Sequence, residues 1–301
     1  MDNLSFKVKE IISKTFKLSP EKIYINLIEH SILDRNYVFF FNIKEKEYVI
    51  KISLNKEKWI NEINTLILLE NYYFSPNILD SNRYGNLNYI IMDKIQGNIL
   101  VDKIKNIDGL SQMKILEKLG ENLGLIHNTG SYNCYGWGTQ KYMNSLIETR
   151  NIKDKNIIKR VNKFMSEENE IIKKGIEVLN NDRLKLKELK PNLTHKDFSL
   201  RNILIDDKGK ITGIIDYEHS EPEDPCLDIC SMFHTNILDT KINFNSFKKG
   251  YEKILNFPEN FINNKRYYMI NTGLYLYGRF GDKGIGARKR GTDLIKKSLN
   301  S

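Results

Sequence analysis

"LTHKDFSLRNILID", residues 193–206, sets a His, an Asp and an Asn at 195, 197 and 202 on a short polar link between apolar runs. "ITGIIDYE", residues 211–218, follows after "DKGK". "RNILID" and "ITGIIDY" read as two short strands, and "DKGK" reads as the turn that joins them. A tight hairpin brings its two ends together. Asn202 and Asp216 should therefore face one site, with Asp197 just outside it. An Asn and an Asp offer hard oxygen ligands of the kind that suit Mg²⁺, which keeps its other positions for water and phosphate oxygens. A further carboxylate beside them can orient a hydroxyl and accept its proton. Turn chemistry alone also accounts for Asp and Asn on a link, so the rest of the chain has to decide.

Outward from this segment, two characters appear. "MDNLSFKVKEIISKTF" mixes charge with apolar residues at helical spacing and lacks the continuous apolar centre of a signal peptide. Residues 24–54 alternate and are rich in β-branched and aromatic residues; "YVFFFNI" and "EYVIKIS", with a short link, predict a β-hairpin. "NKEKWINEINTLILLENY", 55–72, has helical periodicity, and "LNYIIMDKIQG", 87–97, is a strand ending in a Gly turn. Beyond Gly97 the pattern turns helical: 111–130, a long polar stretch over about 141–190, and most of 226–301. The expected fold class is α+β, with two lobes: a small antiparallel β lobe at 1–94 and a larger, mostly helical lobe at 95–301.

Composition narrows the function classes. An apolar fraction of 40% in 301 residues suffices for a sizeable core. No run of 18 or more apolar residues occurs, so a membrane span is not expected. Cys134, Cys226 and Cys230 are too few and too unevenly spaced for a disulfide scaffold or a zinc site. Cys226 and Cys230, one helical turn apart, read as buried free thiols. The net charge of +9 is spread along the chain without an arginine-rich block or a nucleic-acid motif. It reads as a solvated surface, with no nucleic-acid partner. A cytoplasmic monomer is expected.

"HKDFSLRN" followed by "IIDYE" resembles the catalytic loop and metal-binding aspartate of the aminoglycoside phosphotransferase/choline kinase-like family, small-molecule kinases that share the protein-kinase fold. His195, Asp197 and Asn202 match the H-x-D-x-x-x-x-N spacing in full, and Asp216 lies fourteen residues beyond Asn202. The resemblance spans about residues 24–235. It implies a two-lobed protein-kinase-like fold and in-line phosphoryl transfer from ATP or GTP. In it Asp197 is the catalytic base, Asn202 and Asp216 hold Mg²⁺, and His195 braces the loop. Lys51, in "EYVIKIS", matches the strand lysine that holds the α- and β-phosphates. Its carboxylate partner from the next helix is Glu62, with Glu57 as the alternative. "YIIMDKIQG" resembles the hinge between lobes, with Met92 behind the base and backbone groups of Asp93 and Ile95 toward a purine edge. Asp228, in "DPCLDI", is a structural carboxylate near the catalytic loop, and His127 reads as a packing or capping residue.

Two departures stand out. The chain has no glycine before Gly85, so the phosphate loop falls on "EHSILDRN", 29–36, where Ser31 or Asn36 takes over. "DYE" stands in place of "DFG", and no activation segment separates 216 from 228, which argues against a protein kinase.

The acceptor is less legible. "DYEHSEPEDPCLD", 216–228, is dense in acid within a basic chain, and Glu218 and Glu221 are candidates to hold the ammonium groups of an aminoglycoside. The expected activity is transfer of the γ-phosphate to a hydroxyl of an aminoglycoside-type antibiotic, a resistance kinase. A metabolic kinase for choline, an amino sugar or homoserine is the alternative, and a silent nucleotide-binding pseudokinase is a third reading.

Overall fold

The structure is a computed structural model and describes residues 2–30, 36–137, 143–165, 169–233, 237–279 and 284–300. In chain order the elements begin with α1 (Asp2–Phe16), β1 (Ile25–His30), β2 (Asn36–Ile43), β3 (Lys46–Ser53), α2 (Lys56–Leu68), β4 (Ile78–Tyr84), β5 (Leu87–Asp93), β6 (Asn98–Ile99), α3 (Leu100–Lys103) and α4 (Gly109–His127). They continue with α5 (Leu146–Val161), α6 (Glu170–Arg183), β7 (Asn192–Thr194), β8 (Ile203–Ile205), β9 (Ile211–Ile214), β10 (Glu221–Glu223), α7 (Cys226–Met232), α8 (Lys241–Tyr251), α9 (Glu259–Arg279) and α10 (Ile285–Leu299). Among the described residues, five helices open on a side-chain cap, from Asn55, Asp108, Ser145, Asn169 and Thr240.

The chain divides into two compact units. The first is Met1–Ile107 with Arg201–Ser220, and the second is Asp108–Leu200 with Glu221–Ser301. The 201–220 segment joins the first because β8 pairs with β6, Asn98 opposite Ile205 and Ile99 opposite Leu204, and the Ile214 N–H donates to Phe74 O at 2.8 Å.

In the first unit an antiparallel sheet has the order β1-β2-β3-β5-β4. Strand side chains alternate between faces. Phe39, Phe41, Ile50, Ile52 and Ile91 form one face and pack with Val8, Ile11 and Ile12 of α1. Lys51 and Met92 are on the other parity, Lys51 opposite Val38 on one side and Ile90 on the other. A lysine on a central strand thus points away from the apolar core. Helix α2 stops at Leu68, short of the expected 72. The chain there turns through hydrogen bonds from Tyr72 N to Leu69 O and from Ser75 N to Tyr72 O, both 3.0 Å, with Tyr72 stacked on Phe74.

The second unit is helical. The stretch read as one long helical region carries α5 and α6, and α9 bends at Asn264 (φ −129°, ψ 29°). A two-stranded ladder of β7 and β10 sets Thr194 opposite Glu221, which anchors the start of the 193–202 segment. Cys226 and Cys230 are buried on α7, as their spacing suggests. No described helix is long and apolar enough to cross a membrane.

Candidate active site

The hairpin of β8 and β9 closes as its sequence implies. Ile203 pairs with Ile214, and the Ile215 N–H donates to Asn202 O at 2.9 Å. Asn202 and Asp216 therefore stand at the open end of one hairpin. Asp216 has φ +68°, a left-handed conformation that a non-glycine residue holds at a cost of about 1–3 kcal/mol. Asp is one of the side chains that tolerates it best, and here it turns the chain sharply out of β9.

A charge cluster forms around Lys51. Its Nζ lies 2.8 Å from Glu62 Oε2, 2.6 Å from Asp216 Oδ1 and 3.3 Å from Glu218 Oε2. Glu62 comes from α2, which lies over the sheet through the indole N–H of Trp59 donating to Tyr89 O at 3.0 Å. Glu62 is buried, whereas Glu57, the other candidate, is exposed. Burial alone would depress the Lys51 ammonium, but Asp216, Glu62 and Glu218 reverse this and hold it well above the usual lysine range. Burial pushes the Glu62 carboxyl up to about 7 against the pull of Lys51. The two shifts look opposed for an ion pair. They agree once charge is counted: three carboxylates share Lys51, so the ammonium is secure and the deepest acid carries the excess. Oxygens of Glu62, Asp216 and Glu218 lie within 4.8 Å of one another. Such a set, with Asn202 at the same hairpin end as Asp216, suits a divalent cation by the chemistry of its donors.

Glu218 is tied in further. It accepts from Asn36 Nδ2 and pairs with Lys58, and its carboxyl is held below the usual range: burial raises it, but Lys51 and Lys58 prevail. Asn36 begins β2, the strand after the expected phosphate loop. Ser31 lies outside the described residues.

In the stretch 87–97, expected to serve as the hinge, Met92 is buried opposite Val49. The Asp93 N–H is already spent on Asn77 O at 3.1 Å, and its carboxylate pairs with Lys46 at 2.8 Å. The Ile95 N–H, outside any strand, makes no hydrogen bond among the described residues, while its side chain packs on Gly213. Of the two residues, Ile95 is the one left with a backbone donor to offer.

In the second unit, the loop that carries Asp197 is fixed by its own backbone. Asp228, fully buried on α7, accepts the His195 N–H at 2.7 Å and the Lys196 N–H at 2.6 Å, and lies 3.1 Å from His127 Nε2. The other nitrogen of His127 meets Tyr251 Oη at 2.8 Å. The Asp197 N–H donates to His195 Nδ1 at 3.3 Å, so the buried imidazole braces the loop from within. Lys196 holds φ +62°. Asp228→Ala would strand the buried His195 N–H and the part-buried Lys196 N–H and is expected to lower stability by about 1–3 kcal/mol in denaturant unfolding.

The acids expected to meet a polycation are already matched. Glu221 pairs with Lys153 at 2.9 Å and with Lys196, and Glu223 pairs with Arg150 and Lys153. Asp224 accepts from Tyr268 Oη at 2.8 Å. All three are buried. Glu218, in the first unit, is committed to Lys51 and Lys58. Neither Glu218 nor Glu221 thus presents an unpaired carboxylate, because lysines distant in sequence neutralise both.

Arg150 Nη2 is 2.6 Å from Glu223 Oε1, and both groups are almost fully buried. Burial opposes the charge on Glu223, but Arg150, Lys153 and Lys196 hold its carboxyl far below the usual range. A depressed acid stabilises the fold above the unfolded-state value, 4.5 for Glu, and this contribution is lost as pH falls below it. Wild type should lose stability on acidification below that value, and Glu223→Gln should lose less, as read by thermal unfolding across pH. At neutral pH Arg150→Met should cost about 3–5 kcal/mol, since Glu223 would remain buried without it.

No curated protein sequence matches the chain. Among solved structures, aminoglycoside phosphotransferase APH(4)-Ia is similar at a TM-score of 0.76 and 15% identity, over 98% of each chain. Spectinomycin phosphotransferase APH(9)-Ia, solved with ADP and spectinomycin, has a TM-score of 0.63 and 14% identity, over 91% of this chain and 88% of its own. A putative aminoglycoside phosphotransferase from Ralstonia eutropha JMP134 has a TM-score of 0.73 and 12% identity, over 98% and 96%. These likenesses give the protein-kinase-like fold. The sequence itself goes further, since the model of one family, described as the phosphotransferase enzyme family (APH), matches residues 33–246. That span holds Lys51, Glu62, Asp197, Asn202 and Asp216, and the chain belongs to that phosphotransferase family.

Proposed function

We propose that the chain transfers the γ-phosphoryl group of ATP or GTP to a hydroxyl of a small molecule, with an aminoglycoside-type antibiotic as the acceptor. The observation that carries the reaction class is the Lys51–Glu62–Asp216 cluster, with Asn202 closing the same hairpin as Asp216. In this reading Lys51, fixed by Glu62, clamps the α- and β-phosphates. Asn202 and Asp216 hold Mg²⁺, which when bound neutralises charge on the phosphate oxygens. Met92 lines the base, and Asp93 and Ile95 face its edge with backbone groups. Asp197 orients the acceptor hydroxyl. The acceptor oxygen bonds to the γ-phosphorus, the bond to the β–γ bridging oxygen breaks, the nucleoside diphosphate leaves, and Asp197 takes the hydroxyl proton. His195 and Asp228 keep the loop in shape for this.

The aminoglycoside reading is supported by similar structures, whose ligands include hygromycin B and spectinomycin. A second reading, a small metabolic alcohol as acceptor, is favoured by the internal pairing of Glu218, Glu221 and Glu223, which removes the acid surplus a polycation would use. A coupled nucleotide-turnover assay separates them, with ATP and GTP each tested with Mg²⁺ against aminoglycosides, spectinomycin, choline and amino sugars. Stimulation by the antibiotics is the expected result. Stimulation by choline or an amino sugar alone moves the protein to the second reading. Failure to bind either nucleotide overturns the phosphotransfer reading itself.

A further inference from the structure

We infer that Lys58 is a second phosphate-binding lysine beside Lys51, one that meets the polyphosphate of the nucleotide directly. The inference rests on the phosphotransfer reading above and adds a residue to it.

Lys58 sits in the first turn of α2, where the Asn55 side chain accepts its backbone N–H at 3.0 Å. A cation there opposes the helix dipole, so the helix gains nothing from it. Glu62 is four residues on, the spacing at which helical ion pairs form, yet Glu62 turns to Lys51. Lys58 Nζ instead leaves the helix for Glu218, two residues beyond Asp216, and lies 3.0 Å from His219 Nε2. Its ammonium is thus carried to the cluster that holds Lys51.

The two lysines differ in exposure. Lys51 is enclosed by three carboxylates and its side chain is 8% exposed, whereas that of Lys58 is 16% exposed. With Lys51 shared among three carboxylates, a second ammonium adds to the charge that Lys51 offers a phosphate. The groups around Lys51 also leave the cluster short of positive charge: Glu62, Asp216 and Glu218 stand against Lys51 and Lys58. A polyphosphate at this cluster gains from a second ammonium beside Lys51. The sequence adds the reason for the need. With no glycine before Gly85, the stretch between β1 and β2 has no residue that lets backbone N–H groups approach phosphate without a Cβ. A side-chain ammonium supplies positive charge for phosphate without needing a glycine, and Glu218 holds it in place until the nucleotide displaces it.

The test is titration calorimetry on the full chain with Mg²⁺, for wild type, Lys58→Met and Lys58→Arg. The ligands are the triphosphate that wild type binds and the matching nucleoside. Loss of one charged contact predicts triphosphate binding about 10–100-fold weaker in Lys58→Met, nucleoside binding unchanged, and recovery of most of the loss in Lys58→Arg. Inorganic tripolyphosphate should compete with the nucleotide on wild type and lose this ability in Lys58→Met. Unchanged triphosphate affinity in Lys58→Met overturns the inference and leaves phosphotransfer standing. An equal loss for triphosphate and nucleoside also overturns it, since that marks a structural role. If Lys58→Met does not fold, Lys58→Gln, which keeps a donor for Glu218, replaces it in the same comparison. Wild type that binds no nucleotide overturns the parent reading and this one together.

Discussion

Asp197→Ala is expected to lower kcat by about 10²–10⁴-fold while leaving nucleotide affinity unchanged. The separation follows from how the loop is held. Its anchors are the His195 and Lys196 N–H groups on Asp228, the Lys196 ammonium on Glu221, and the Asp197 N–H on His195 Nδ1. Each of these survives removal of the Asp197 carboxylate. The residues assigned to the nucleotide, Lys51, Glu62, Asn202 and Asp216, belong to the other compact unit. Asp197→Asn then divides the effect. It keeps a polar group to orient the acceptor hydroxyl but cannot take a proton. In a loose transition state the proton moves late, so orientation carries part of the effect, and Asn should retain more activity than Ala. Wild-type turnover in Asp197→Ala would remove Asp197 from the reaction.

What the sequence conveyed and what it did not divide along a physical line. The hairpin around Asn202 and Asp216 was legible because alternation, a turn and two polar ends all lie within about two dozen residues. The strand position of Lys51 was legible for the same reason, as was the spacing of Cys226 and Cys230. Strand β4, "ILDSNRY", gave no signal: it is an edge strand with mostly polar residues, and its pairing with β5 supplies what its own pattern lacks. Strand β10 is three residues long and contains a proline. The acids of 216–228 suggested a polycation site because their counter-charges are remote. Arg150 and Lys153 reach Glu223 from α5, and Lys58 reaches Glu218 from α2. No local periodicity reports an ion pair between distant segments. The same blindness hid Lys58, which reads in sequence as one more charge on a helix start, and Asn36 as a partner of Glu218.

Lys51→Met is expected to abolish phosphoryl transfer and to destabilise the fold by about 3–5 kcal/mol, and the two losses can be told apart. The substitution fits the site sterically and removes only the ammonium. Glu62 then loses the cation that faces it at 2.8 Å, and its carboxyl, already pushed up to about 7 by burial, has none in its place. Glu218 keeps Lys58, and Asp216, 37% exposed, keeps part of its hydration. The stability cost should therefore concentrate on Glu62. Lys51→Met/Glu62→Gln tests this: neutralising the stranded acid should restore most of the lost stability in denaturant unfolding, because an amide is far cheaper to bury than a lone carboxylate. It should restore no turnover, since the phosphate clamp is still missing. If the double variant stays as unstable as Lys51→Met, the buried Lys51–Glu62 pair is not what the lysine stabilises. If it regains activity, Lys51 does not hold the phosphates.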